Sequence, residues 1–419
     1  MRGRGAHREQ TLPRRLPCRS ILGTVNGPSG SPVATAIVVR LGEDLVRITA
    51  PAERLEEIAR MLADEIVVDP TRVDVQFAVD DSGEIRVDGR QWEPDGDLSL
   101  CDNVMYALMR IALDREPALL HLHAGLVGVA GRSLVIAGLA GSGKSTLVAD
   151  LVAGGMQYFT DERVGVDEQL GLSALRKPIS VVAGSFAHLA AWNPARTQRG
   201  TASDRIWHLP ASAIAAASPG APDRPAGHRP PALAGIVFTE FRAGAAPTLE
   251  AMHAATAARH LLSDALDVDR YGPGALALAA RLCASVPCWS MVHGGGGPAV
   301  DAVRSAALAT YQRPAVRAIA PGSRSAWKRP ITVTASSALG VAARTSGACI
   351  GERALLRTES GDLVELDEVL TAWLLLLDGS TTVGALVGEV AAANQLDPSA
   401  LMATVTASLA HLARLGVAA

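Results

Sequence analysis

Residues 133–154, SLVIAGLAGSGKSTLVADLVAG, decide the fold. SLVIA is a short apolar run that reads as a buried strand, and STLVADLVAG reads as a helix. Between them, Gly138-Leu139-Ala140-Gly141-Ser142-Gly143-Lys144-Ser145 matches GxxxxGK[ST]. Strand, glycine loop and helix stand in the order that a phosphate-binding loop requires. Glycines let backbone N–H groups converge on phosphate oxygens without Cβ clashes, and the helix start adds the positive end of its dipole. Gly138, Gly141, Ser142, Gly143, Lys144, Ser145 and Thr146 are therefore the expected nucleotide-binding residues. Lys144 reaches the β- and γ-phosphates of ATP, and Ser145 offers its hydroxyl to Mg²⁺. The chain has 40 glycines but only three lysines in 419 residues. A chance match is then on the order of a few in a thousand.

That lysine scarcity runs through the whole chain. Among 39 basic residues, only Lys144, Lys177 and Lys328 are lysines, and alanine is abundant. This is the composition of a GC-rich bacterial genome. A planar guanidinium does not freely replace a compact ammonium in a phosphate loop, which fits the survival of Lys144.

Working outward, MQYFTDERVGV reads as the next strand and carries Asp161-Glu162. Phosphoryl transfer needs a carboxylate for the metal and a group to take the acceptor proton. Carboxylates at a strand end beside the loop can do either; the competing reading is a solvated acid pair in a turn. Upstream, His121 and His123 share one face of a strand. His123 precedes Gly138 by 15 residues. Antiparallel pairing of the two flanking strands would return it to the loop; otherwise it is a satisfied core histidine. Arg176 and Lys177 are the nearest basic residues able to hold a transferring phosphoryl group, or else an ordinary surface pair.

The run from His123 to Val164 resembles the catalytic core of the HPr kinase/phosphorylase family: a histidine, a glycine loop, a helix, then a strand ending in two acids. RKPIS (Arg176–Ser180) and AGIVFTEF are similar to the shorter HPr-kinase-like proteins of bacterial biosynthetic clusters. The resemblance implies an ATP- and Mg²⁺-dependent kinase in which Asp161 is the catalytic acid/base, His123 is the active-site histidine and Glu162 joins Ser145 at the metal. The E-x-R-G-x-G stretch of true HPr kinases is missing, which speaks against HPr as the substrate.

The whole chain reads as α/β, with a basic disordered arm at 1–33 and a small α+β unit at 34–117. A P-loop, HPr-kinase-like domain covers 118–310, a linker 311–345 and a winged-helix-like domain 346–419. Helices are expected at 263–282 and 298–311. Ala215–Pro231, rich in Pro, Gly and Ala, reads as a loop or disordered insertion. In the C-terminal block three apolar stripes stand at helical spacing: Leu370/Trp373/Leu374/Leu377, Val383/Leu386/Val387/Val390 and Leu401/Val405/Leu409/Leu412. A winged helix raises DNA binding, but Val383–Ala419 holds a single Lys or Arg, Arg414, too few for phosphate contacts. The block resembles the PqqD family, carried by LLLLDG (Leu374–Gly379), Thr382-Val383 and LAHLARLG. Such domains bind the leader of a ribosomally made precursor peptide as an added strand.

A net charge of −3 argues against nucleic acid as the partner. No long apolar run predicts a membrane span, and no apolar segment follows the basic arm as a secretory signal requires. Cysteines at 18, 101, 283, 288 and 349 support neither zinc nor disulfides. A bacterial cytoplasmic kinase for a Ser or Thr of a precursor peptide is the expectation, with self-association and contacts to other biosynthetic enzymes left open. Two rivals stand beside it: a non-enzymatic, ATP-gated peptide-delivery protein, and a protein or small-molecule kinase whose C-terminal domain dimerises.

Overall fold

The computed structural model describes residues 23–24, 35–93, 98–116, 118–182, 184–185, 201–202, 206–215, 230–266, 268–322 and 332–419. They form a mixed α/β protein with ten helices and six sheets among the described residues. Two compact units divide the chain, Met1–Ile111 and Ala112–Ala419.

The first unit is a six-stranded sheet with the helix Ala52–Met61. The hairpin Thr35–Leu41/Asp44–Ala50 comes first, and Asp44–Ala50 then pairs in parallel with Val75–Val79. The intervening helix supplies that crossover and buries Leu55, Ile58, Ala59 and Met61, an i, i+3, i+4 stripe. Most of the expected disordered arm lies outside the described residues. Gly23–Thr24 does not follow that expectation, since it pairs with Thr35–Ala36 as a short strand.

The second unit is built on a sheet whose order is Gln157–Thr160, Gly125–Val129, Arg132–Ala137, Leu233–Phe241, Cys288–His293, Thr248–Met252. Arg132–Ala137, Leu233–Phe241 and Cys288–His293 are parallel. Their apolar residues bury on both faces. Ile136 and Val237 pack with Val148 and Val300, from the helices Lys144–Ala153 and Gly297–Ala306. Val135 and Ile236 pack with Ala258 and Ala279, from the helices Ala254–Ser263 and Val268–Ser285. Ligands of such sheets gather outside the carboxyl ends of the parallel strands. The Gly138–Ser145 loop, Phe241 and His293 all stand there.

Two segments that read as single strands each serve two sheets. His123 ends one strand (Leu120–His123), and Gly125 starts the next. Asp161-Glu162 likewise separates Gln157–Thr160 from Arg163–Val166. The outgoing pieces form a second sheet, in the order Leu172–Ala174, Arg163–Val166, Leu120–His123, Ala265–Leu266. The Ala124 N–H donates to the Glu162 carbonyl at 3.0 Å and ties the two crossing points together. A third sheet joins Ile179–Val182, Ile206–Leu209 and Thr201–Ala202.

The C-terminal block packs the helices Glu368–Leu375, Val383–Asn394 and Pro398–Arg414 on an antiparallel sheet. That sheet runs Val316–Ile319, Ser346–Ile350, Arg353–Arg357, Leu363–Leu366. All three expected stripes join its core, with Leu370, Leu377, Val390 and Leu401 partly buried.

Other expectations need correction. The stretch read as a linker supplies Val316–Ile319 to this sheet and Ala338–Gly340 to a two-stranded ribbon with Asp378–Thr382. Residues 323–331 of that stretch, including Lys328, lie outside the described residues, as does most of the Ala215–Pro231 insertion. The helix expected over 263–282 begins only at Val268 and kinks at Gly272, whose φ of 54° is non-helical. Pro273 follows, and the residue before a proline is pushed out of the helical region. The helix Ala254–Ser263 was not expected. The last helix of the central part ends at Ala306 instead of 311. The four described cysteines are free thiols.

Candidate functional site

The loop's shape comes from its glycines. Gly143 has φ +88° and precedes the first residue of the helix. A Cβ there would stand 2.8 Å from the Phe241 Cβ, and one at Gly138 would stand 2.7 Å from the Thr239 carbonyl oxygen. The end of the strand Leu233–Phe241 therefore presses on the loop from behind, and only glycine admits both the fold and the contact. The helix Lys144–Ala153 has no side-chain N-cap, so its first N–H groups are left to the cavity above.

That cavity measures about 470 Å³. Lys144, Ser145 and Thr146 line it, and His123, Ser180 and Phe241 contribute to its walls. Lys144 is only 6% exposed. Its Nζ donates to the carbonyls of Gly138 and Leu139 and lies 3.5 Å from Asp264 Oδ2. Asp264 is 3.4 Å from His123 Nδ1, and Glu162 is 3.5 Å from His123 Nε2. His123 thus stands between two carboxylates at the mouth of the loop.

Behind it lies a buried group. Asp161 Oδ1 pairs with Lys177 Nζ at 2.8 Å and accepts from the Tyr158 hydroxyl at 3.0 Å. Its Oδ2 accepts from the Ser180 N–H at 3.0 Å. Lys177 also approaches Glu162 at 3.5 Å and donates to the Pro178 carbonyl and to Ser180 Oγ. Burial works against the Lys177 charge, yet Asp161 and Glu162 beside it hold its pKa above the ordinary lysine value.

Four buried polar atoms at the loop make no hydrogen bond: the possible donors Ser142 Oγ, Thr239 Oγ1 and His293 Nε2, and Asp264 Oδ2, which faces Lys144 and His123 only as an ion pair. His293 Nδ1 accepts from the Gly295 N–H at 3.1 Å, so its proton belongs on Nε2. Burial pushes the His293 pKa down, which keeps the ring neutral. Unpaired donors, uncapped N–H groups and a lysine held only by carbonyls and one carboxylate fit the oxygens of a di- or triphosphate. No group of three His, Cys, Asp or Glu is arranged to hold a metal among the described residues. Mg²⁺ arriving with a nucleotide takes most of its oxygens from phosphates and water, and one or two protein oxygens suffice. Ser145 and Glu162 are of the right type.

Of the expected residues, Gly141, Gly143, Lys144, Ser145, Thr146 and His123 line the cavity. Gly138 and Ser142 form the loop's foot. Glu162 is near through His123. Asp161 does not reach the cavity wall: its side chain is fully buried. Lys177, expected at a phosphate, is buried against Asp161, and Arg176 is not a lining residue. Sequence reasoning missed Asp264, His293 and His208, whose Nδ1 lies 3.3 Å from Ser180 Oγ. None belongs to a spaced motif; topology alone delivers them. Ser180 lies inside the quoted RKPIS stretch and Phe241 ends the quoted AGIVFTEF stretch, both without a role.

No protein-family model matches this chain, and no curated protein matches it.

Proposed function

We propose that this chain moves the γ-phosphoryl group of ATP to a Ser or Thr hydroxyl of a ribosomally made precursor peptide. The observation that carries the reading is the meeting of Lys144 and His123 at one cavity beyond the carboxyl ends of three parallel strands, with Glu162 3.5 Å from His123 and Asp161 buried behind them. Lys144 exchanges the carbonyls of Gly138 and Leu139 for phosphate oxygens, and the free N–H groups of the helix start hold the rest. Ser145 and Glu162 would hold Mg²⁺. When bound, the metal offsets the charge on the β- and γ-oxygens. His123, flanked by Glu162 and Asp264, orients the phosphoryl group or the base. Asp161 takes the hydroxyl proton in this reading, which requires both Lys177 and the Tyr158 hydroxyl to release Oδ1 and the carboxylate to open to the cavity.

The C-terminal block serves this chemistry by holding the peptide's leader as an added strand. Within its four-stranded sheet, Val316–Ile319 and Leu363–Leu366 are the edge strands. Tethering the leader raises the effective concentration of the acceptor at a site with little grip of its own.

One observation favours a second reading. Both Asp161 oxygens are occupied and the side chain is buried, which suits ATP-gated peptide delivery without transfer. Phosphopeptide formation by the wild type separates the two, and Asp161→Asn tests the base. Under the kinase reading the variant binds ATP and loses transfer by roughly a hundredfold or more. Near-normal transfer would remove Asp161 from the role of base. Delivery without chemistry predicts no phosphopeptide from the wild type.

A further inference from the structure

The third sheet places Ser180 directly opposite His208 in an antiparallel pair. Residues so paired project to the same face. Ser180 Oγ is 2.9 Å from Lys177 Nζ and 3.3 Å from His208 Nδ1. An ammonium can only donate, so Lys177 donates to Oγ, and in the tautomer with Nδ1 unprotonated His208 accepts the hydroxyl proton. A hydroxyl with a cation on one side and an imidazole nitrogen on the other is set up as an activated nucleophile. This hydroxyl is not in the deep interior. Ser180 lines the same cavity as Lys144, Ser145 and Thr146.

We propose that Ser180 is itself a phosphoryl acceptor, modified in cis by the nucleotide held at the Gly138–Ser145 loop. This rests on the reading of that loop as an ATP site. In the step, the Ser180 Oγ–phosphorus bond forms as the bond from the γ-phosphorus to the β,γ-bridging oxygen breaks. The electron pair of that bond leaves with ADP, and the hydroxyl proton passes to His208 Nδ1. Lys177 offsets charge at the acceptor oxygen.

The test incubates the full chain with ATP and Mg²⁺ without peptide, followed by intact-mass measurement and fragment mapping. One phosphate per chain on Ser180 is expected, forming at a rate per chain that does not change with protein concentration. Ser180→Ala and Lys144→Ala should each remove it. Ser180→Thr should retain it on the new hydroxyl, and Ser185→Ala, at another cavity-lining hydroxyl, should leave Ser180 marked. His208→Gln should slow the labelling by roughly a hundredfold. An unmodified Ser180 in a chain that binds ATP and phosphorylates peptide overturns the inference and leaves the kinase reading standing. Labelling that accelerates with protein concentration, or that survives Lys144→Ala, overturns it as well. A chain that binds no ATP sinks both together.

Discussion

Lys177 and Asp161 face each other at 2.8 Å with 2% and 0% of their side chains exposed. Removing one partner of such a pair strands a charge in a medium that cannot solvate it. Lys177→Met should destabilise the second unit by about 3–5 kcal/mol, and adding Asp161→Asn should recover a large part of the loss. Denaturant unfolding of the single and double variants measures this; additive losses would mean the two charges are not coupled. Gly143 makes a different demand on the loop. Gly143→Ala combines a strained φ with a 2.8 Å clash at Phe241, so nucleotide binding should fall sharply at a stability loss of about 1–3 kcal/mol. Calorimetric titration with ATP checks it; unchanged affinity would show that the loop tolerates another shape. At this scale the sequence was informative where chemistry follows from spacing. Gly138 to Thr146 carry their own motif, and His123 follows from one hairpin. Asp264 and His208 do not, because their nearness to Lys144 and Ser180 depends on distant strands. Lys177 read as a phosphate-holding cation or one of a surface pair, because local sequence gives no sign that it is buried against Asp161.

The helix Ala254–Ser263 links two parts of the second unit. Its far end leads to Asp264 at the loop, and along its length Thr256 and Arg259 meet Glu365 of the C-terminal sheet. Its alanine-rich sequence favours a helix, and its apolar stripe, Ala254, Ala255, Ala257, Ala258, Leu261 and Leu262, packs against the central sheet and Ala348, Ile350 and Leu355. Segments that change sheets were harder to read: the apolar run continues across Ala124 without a break, and the polar stretch Thr160–Arg163 does not by itself say that the chain passes to another sheet. Three histidines of these elements, His253, His260 and His293, have lowered pKa values, chiefly from burial. Neighbouring Arg353 and Arg259 add to the effect at the first two. A histidine with a depressed folded pKa leaves the unfolded chain binding more protons once the pH falls below about 6.5. Stability should therefore hold near neutrality and decline from about pH 6.5 downward. Denaturant midpoints across that window measure it, and His293→Gln should flatten part of the slope. A midpoint that rises on acidification would contradict the assignment.

Across the molecule, the C-terminal block is not a bead on a linker. Its sheet shares a core with the helices Ala254–Ser263 and Val268–Ser285, and Leu355 in that core is fully buried. Leu355→Ala should destabilise by about 2–5 kcal/mol, and a deletion of residues 312–419 should expose that apolar surface and leave an aggregating protein. A cooperative, soluble truncation with unchanged melting would contradict this packing. The α/β class and the three C-terminal stripes were legible because they depend on local periodicity, while the sharing of one core between distant segments was not. Leader binding is tested without cutting the chain: added peptide should slow hydrogen exchange in Val316–Ile319 or Leu363–Leu366, and protection at neither edge would count against an added strand. The central claim is phosphoryl transfer from ATP through the Lys144 loop. The direct measurement follows ATP labelled in its γ-phosphoryl group, with Mg²⁺, the full chain and a synthetic precursor peptide that carries Ser and Thr. Label is expected on a Ser or Thr of the peptide with wild type and not with Lys144→Ala. Label that stays in ATP with wild type, or reaches the peptide equally with Lys144→Ala, would contradict it.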